Sequence, residues 1–97
     1  MKECVSIIIP CRNEEKFIAD VLENILAQDY PAQLIEVFVV DGNSIDTTKA
    51  ITSDYSLKFS RLFILNNQME TVPFALNLAI KKSSCDFIVR IDAHSQY

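Results

Sequence analysis

A chain of 97 residues, nearly half of them apolar and 23% charged, has the size and composition of one globular core or part of a larger one. Its formal charge of −4 and lack of a lysine/arginine stripe exclude a duplex nucleic-acid surface, whose affinity comes from neutralising many phosphates; a few phosphates on a small ligand stay within reach. The three cysteines, Cys4, Cys11 and Cys85, are odd in number and lack C-x-x-C spacing, so the expectation is reduced thiols in a reducing compartment.

Cys4 to Ile9 reads as a strand ended by Pro10, whose missing N–H cannot continue a central ladder. Asn13 is then placed to cap a helix from Glu14 to Gln28. In that segment Phe17, Ile18, Val21, Leu22, Ile25 and Leu26 recur at helical spacing, with Glu14 and Glu15 in the first turn. Ile35 to Val40 is a second strand, followed by Asp41-Gly42-Asn43-Ser44, a turn expected to be built around the single glycine. Asp46 or Ser44 would cap a helix from about Thr47 to Tyr55. Arg61 to Leu65 forms a weaker strand, Thr71 caps a helix with Pro73 in its first turn that runs to Lys82, and Asp86 to Ile91 is the fourth strand. No stretch approaches the roughly 20 apolar residues that span a bilayer, and the amino terminus leads into a strand rather than a signal peptide.

Strict alternation of strand and helix predicts an α/β fold: a Rossmann-like parallel sheet with right-handed crossovers and helices on both faces. In the common 3-2-1-4 order, the first and fourth strands are neighbours and a crevice opens at their carboxyl ends. The polar sequences leave the strands at that crevice: Pro10 to Glu14 after the first, Asp41 to Ser44 after the second, and Arg90 to His94 at the fourth.

Neither a glycine-rich dinucleotide turn nor a P-loop is present, so phosphates would be held otherwise, an acid-bound divalent cation being the usual substitute. Asp92 and His94, two residues apart at a strand end, would lean the same way on an extended backbone: they are either a partial ligand set for Mn²⁺ or a related ion, or an acid paired with Arg90 and a solvated loop histidine. Arg90, on the same face, could meet Asp92 or a phosphate. Asp41 is either a turn acid satisfying nearby N–H groups or a contact to a base or ribose. Glu14 is either a first-turn acid or a ligand contact, Arg12 a solvated charge or a phosphate contact, and Asp46 a helix cap.

Together VSIIIPCRNEE, VVDGNSIDTT and IVRIDAH resemble the opening half of a family 2 glycosyltransferase of the GT-A fold, and bacterial polysaccharide-synthesis enzymes of the succinoglycan type in particular. The likeness covers essentially the whole chain. It implies that Pro10, Cys11, Asn13 and Glu14 surround the base and ribose of a nucleotide-sugar, that Asp41 binds the base, and that Arg90 and Asp92 face the diphosphate. The family's D-x-D metal motif reads Asp92-Ala93-His94 here, so Asp92 and His94 would hold Mn²⁺ or Mg²⁺, with histidine at a position that often carries an acid.

The implied chemistry is inverting transfer of a sugar from a nucleoside-diphosphate-sugar, UDP-linked by preference, to a glycan or lipid-linked acceptor. The family's general base lies beyond Tyr97, so no catalytic residue is assigned and these 97 residues are expected to lack turnover. Residues 1–97 would thus be an incomplete amino-terminal donor-binding portion. It would be cytoplasmic or at the inner face of the cell membrane through segments absent here, and prone to self-associate through a sheet left open after its fourth strand. A noncatalytic nucleotide-binding module is the alternative. A receiver-like signalling domain fits poorly, because the third strand exits into Asn66-Asn67-Gln68 rather than a phosphorylatable acid.

Overall fold

A computed structural model describes residues 4–68 and 71–92. Strands and helices alternate as β1 (Val5–Cys11), α1 (Ile18–Leu26), β2 (Ile35–Asp41), α2 (Thr48–Tyr55), β3 (Leu62–Asn66), α3 (Val72–Lys82) and β4 (Phe87–Arg90). The sheet is parallel throughout, as the alternation predicts, and its order β3-β2-β1-β4 is the common one in which the first and fourth strands are neighbours.

Burial follows from that order. Strand β2 lies inside the sheet and all seven of its residues are buried. Ile35, Val37 and Val39 pack with Ile7 and Ile9 of β1 against Ile18, Val21, Leu22 and Ile25, which form one stripe of α1. On the opposite face Ile8, Phe38 and Val40 meet Ala75 and Ala79 of α3, whose small side chains allow close approach. Phe38 also stacks on Phe63, with ring centroids 5.3 Å apart. Helix α2 turns Thr48 and Thr52 inward, and the Thr52 hydroxyl is satisfied by the Thr48 carbonyl at 2.9 Å. The edge strand β4 is exposed at every position, with Phe87, Ile88 and Val89 all open. Among the described residues no helix is long and apolar enough to cross a membrane.

The local expectations change in several places. Strand β1 does not stop at Pro10: Pro10 pairs with Val40, and Cys11 with Asp41. The Ile8 carbonyl accepts the Ile91 N–H at 2.9 Å on the β4 side, and alternation turns Pro10 to that same side, beyond the last residue paired with β4. Its missing donor therefore breaks no ladder bond. Helix α1 begins at Ile18 rather than Glu14, and Asn13 is not its cap but adopts left-handed geometry (φ 53°). The left-handed residue in the second turn is Asn43 (φ 58°) rather than Gly42. Gly42 is instead buried, its N–H donating to the Cys11 carbonyl at 2.8 Å.

The expectation of three reduced thiols holds only for Cys11. Cys4 and Cys85 form a disulfide with Cα atoms 5.2 Å apart. The parallel register Val5↔Phe87 brings the residues ahead of β1 and β4 together, a proximity invisible in a separation of 81 residues.

Candidate functional site

The parallel sheet sends every strand exit to one edge, and hydrogen bonds fasten the first two exits together. The Asn13 N–H donates to Ser44 Oγ and the Ile45 N–H donates to Asn13 Oδ1, both at 2.8 Å. The Glu14 N–H donates to Thr48 Oγ1 at 2.9 Å. Glu15 Oε1 accepts the N–H and hydroxyl of Thr47 at 3.0 and 2.7 Å, while the Glu15 N–H reaches Asp46 Oδ2 at 3.3 Å. Helix α1 starts only beyond this loop pair, at Ile18. The Glu14 carbonyl accepts the Phe17 and Ile18 N–H groups at 2.9 Å, forming one tight turn ahead of the helix.

Asp41 ends β2 fully buried. Its Oδ2 accepts the Ser44 N–H at 2.8 Å, Oδ1 accepts the Ser44 hydroxyl, and Lys49 Nζ stands 3.8 Å from Oδ2. The turn-acid role is thus present in full. Its main-chain carbonyl also accepts the Asn67 N–H at 2.8 Å, joining the exit of β3 to the same rim. The cap position of α2 is held by Thr47, without a side-chain cap bond, rather than by Asp46 or Ser44; Asp46, one residue ahead of it, accepts the Thr48 N–H at 3.0 Å. Partial burial pushes the Asp46 carboxyl upward, but the Thr48 hydroxyl and amide and the Glu15 amide outweigh it and hold the group below its ordinary range. Glu15 is also held low, by the Thr47 hydroxyl and then the Thr47 amide.

Cys11 lies beneath this rim. Burial first, then the fields of Asp41, Glu14 and Asp46, push its thiol up to about 12, so it is a neutral packing group at ordinary pH. Pro10 beside it is half-buried, Glu14 is buried and Asn13 is exposed.

At the fourth exit, Arg90 Nη2 and Nε lie 2.9 and 3.0 Å from Asp92 Oδ1. Of the two partners open to Arg90 in the sequence, the structure records Asp92. Both side chains are nearly half exposed, so a ligand could reach either. Arg90 stands opposite Ile8, which brings the Asp92 exit alongside the end of β1. His94 lies outside the described residues. Among those described, no cluster of three histidine, cysteine or acidic side chains could by itself hold a metal ion.

The sequence reading missed Thr48, Thr47 and Glu15 as fasteners. The available signal was hydroxyl residues following a turn acid, which read only as an ordinary helix start. A cavity lined by Ile25, Tyr30, Ile35 and Phe59 lies by the amino end of β2 and takes no part in this edge.

Residues 6–97 match the model for glycosyl transferase family 2. The chain belongs to that family. Among curated relatives of this family 2 chain, a dolichyl N-acetyl-alpha-D-glucosaminyl phosphate 3-beta-D-2,3-diacetamido-2,3-dideoxy-beta-D-glucuronosyltransferase of Methanococcus voltae is 38% identical over 94% of this chain and 29% of its own length. A succinoglycan biosynthesis protein of Rhizobium meliloti is 31% identical over 94% of this chain and 28% of its own, so the succinoglycan-type likeness is present. Among solved structures, a mannosyltransferase from Pyrobaculum calidifontis in complex with GDP-Man and Mn²⁺ superposes with a TM-score of 0.88 and 30% identity, over 96% of this chain and 28% of that one. TarS of S. aureus in complex with UDP-GlcNAc gives 0.83 and 31%, over 93% and 26%. The sheet order and these neighbours identify the architecture as GT-A. The chain spans less than a third of each of these proteins.

Proposed function

We propose that this family 2 chain is the amino-terminal donor-binding portion of a glycosyltransferase that moves a sugar from a nucleoside diphosphate to a glycan or lipid-linked acceptor hydroxyl, with inversion. The observation that carries the reading is the fastening of the Pro10–Glu14 exit to the Asp41–Thr48 exit, beside the Arg90–Asp92 exit of the adjacent strand. A rim fixed before ligand arrives loses little entropy on binding.

In this reading Pro10, Cys11, Asn13 and Glu14 wall the base and ribose. Asp41 receives a base N–H at Oδ1, the oxygen now bonded to the Ser44 hydroxyl. Arg90 turns from Asp92 to the diphosphate, a small loss because an exposed ion pair contributes little. UDP is favoured as the nucleotide, a preference that the TarS complexes with UDP-GlcNAc and UDP support.

A divalent cation fits the donor set as a joint ligand of protein and nucleotide. Such ions are commonly held by one or two carboxylates together with substrate phosphates. Asp92 supplies an accessible carboxylate, and His94 is the proposed second protein ligand. When bound, Mn²⁺ or Mg²⁺ would offset charge developing on the departing diphosphate. Asp92 stands on the leaving-group side and is not the base that takes the acceptor proton; that role is proposed for a residue beyond Tyr97. The exposed face of β4 is proposed as the route of self-association when nothing else covers it.

The test is a titration with UDP and GDP, with and without Mn²⁺, on wild type, Asp41→Ala and Asp92→Ala. UDP binding should weaken in both variants, and only Asp92→Ala should lose its dependence on Mn²⁺. Metal-independent binding that ignores both substitutions would overturn the assignment.

A further inference from the structure

At the edge of the sheet opposite the donor rim, a charged cluster surrounds the Cys4–Cys85 disulfide. Glu36 is buried and accepts from the Ser6 hydroxyl at 2.8 Å, the Ser84 N–H at 3.0 Å and the Ser84 hydroxyl at 2.8 Å. Arg61 is anchored through Nη1, 3.4 Å from both Glu36 Oε2 and Ser84 Oγ. Its Nη2 then stands 3.9 Å from Cys4 Sγ and 4.0 Å from Cys85 Sγ. A guanidinium held beside both sulfurs favours whichever one becomes a thiolate, and both cysteines are only half-buried. The carboxylates of Glu36 and Asp86 oppose that field, but neither places a donor on a sulfur as Nη2 does.

We propose that Cys4–Cys85 is a reversible thiol–disulfide exchange site, activated by Arg61, that fastens or frees β4. In the reductive direction a thiolate of an external dithiol attacks one cysteine sulfur, the S–S bond breaks, and its electron pair leaves on the other sulfur beside Arg61. The second thiolate of the dithiol then displaces the remaining cysteine. The dithiol departs as its cyclic disulfide, having given two electrons, and two protons convert the cysteines to thiols. Oxidation by a disulfide of the same class reverses each step.

The consequence falls on β4, because among the described residues it pairs with β1 alone, over Val5–Ile8 and Phe87–Arg90, and the covalent link sits just ahead of that short ladder.

The experiment uses protein isolated without reductant and dithiothreitol as the probe, with alkylation and mass spectrometry following the linked Cys4 and Cys85 peptides. Arg61→Gln should be reduced more slowly than wild type, because the leaving thiol's pKa rises, and Arg61→Lys should recover most of the rate. In reduced wild type, the rate of iodoacetamide alkylation against pH should place Cys4 or Cys85 below the ordinary cysteine value of about 8.5. Amide hydrogen exchange at Ile91 and along β4 should accelerate on reduction while β2 stays protected. An unlinked pair in protein isolated without reductant, ordinary thiol pKa values for both cysteines, or equal reduction rates in folded Arg61→Gln and wild type would each overturn the proposal. The alkylation profile needs only wild type, so it decides the matter even if the variant does not fold.

Discussion

Asn13 clasps Ser44 across the two strand exits, its N–H on Ser44 Oγ at 2.8 Å, while its own Oδ1 takes the Ile45 N–H at the same distance. This pairing uses a left-handed backbone (φ 53°) that asparagine tolerates better than most residues. Asn13→Ala loses the side-chain bond and meets the backbone cost, so it should destabilise the protein by about 1–2 kcal/mol in urea unfolding. Asn13→Gly keeps the backbone and loses only the bond, so it should lose less. Both should weaken nucleotide binding; equal stability of Asn13→Ala and wild type would refute the clasp.

The Glu36 node is the second test. Burial pushes the Glu36 carboxyl upward, but the Ser84 amide, the Ser6 and Ser84 hydroxyls and Arg61 together hold it below its ordinary range. A carboxyl depressed by folding contributes stability that is present above its unfolded pKa and lost as pH falls through the folded value. Acid unfolding should therefore be less steep in Glu36→Gln than in wild type. At neutral pH this variant should lose about 1.5–3 kcal/mol, the range for bonds to a charged acceptor. An unchanged acid limb would show that Glu36 is not one of the groups whose protonation unfolds the protein.

Asn13 and Glu36 stand apart from the features that were legible in the sequence. The α/β class and the parallel sheet follow from alternation and from the rarity of left-handed crossovers, both of which are local or topological rules, while the strand order, and with it the meeting of polar exits, is the common choice among those the rules allow. The stripe of Ile18, Val21, Leu22 and Ile25 was readable for the same reason. Asn13 was misplaced because an asparagine ahead of acids satisfies the rule for a helix cap, and only the partner loop shows that its oxygen belongs to Ile45. Gly42 was misread because glycine signals either a left-handed turn or close approach, and the sequence does not say which. Glu36, sitting in an apolar run, gave no hint of Ser6, Arg61 and Ser84, which arrive from three distant segments. Asp41 showed both faces of the problem: the turn acid is visible in Ser44, and the ligand role depends on a partner the chain does not encode.

The disulfide carries a stability prediction separate from its exchange chemistry. Joining residues 81 positions apart removes loop-closure freedom from the unfolded chain, worth about 4.5 kcal/mol in the chain-entropy treatment. Cys85→Ser, measured without reductant, should lower stability by roughly 2–4 kcal/mol, the usual yield of such a bond. Wild type with excess dithiothreitol should approach the same value. A variant as stable as oxidised wild type would mean that the link closes no loop that matters to folding.

Cys11 sets an alkaline limit. Its folded pKa, near 12, lies above the ordinary value, so its contribution is complete below the unfolded pKa and is lost as pH rises toward the folded one. Between about pH 9 and 12, wild type should lose up to about 1.4 kcal/mol per pH unit more than Cys11→Ala, because unfolding releases that proton. Cys11→Ala should be less stable at neutral pH through the cavity it leaves, and its alkaline limb should be flatter. Parallel limbs would show that the thiol is not held protonated by the fold.

The Arg90–Asp92 pair separates stability from binding. Both side chains are nearly half exposed, and an ion pair of that kind contributes from nothing to about 1 kcal/mol. Asp92→Asn should therefore unfold within about 1 kcal/mol of wild type and yet bind UDP equally with and without Mn²⁺. Arg90→Gln should also fold normally. Its affinity for UDP should fall about tenfold, the equivalent of one charge-assisted bond of about 1.4 kcal/mol, while its affinity for uridine stays unchanged. The contrast between diphosphate and nucleoside is the decisive measurement, because a general loosening of β4 would weaken both ligands together. If Arg90→Gln weakens uridine as much as UDP, Arg90 acts on the strand rather than on the phosphates.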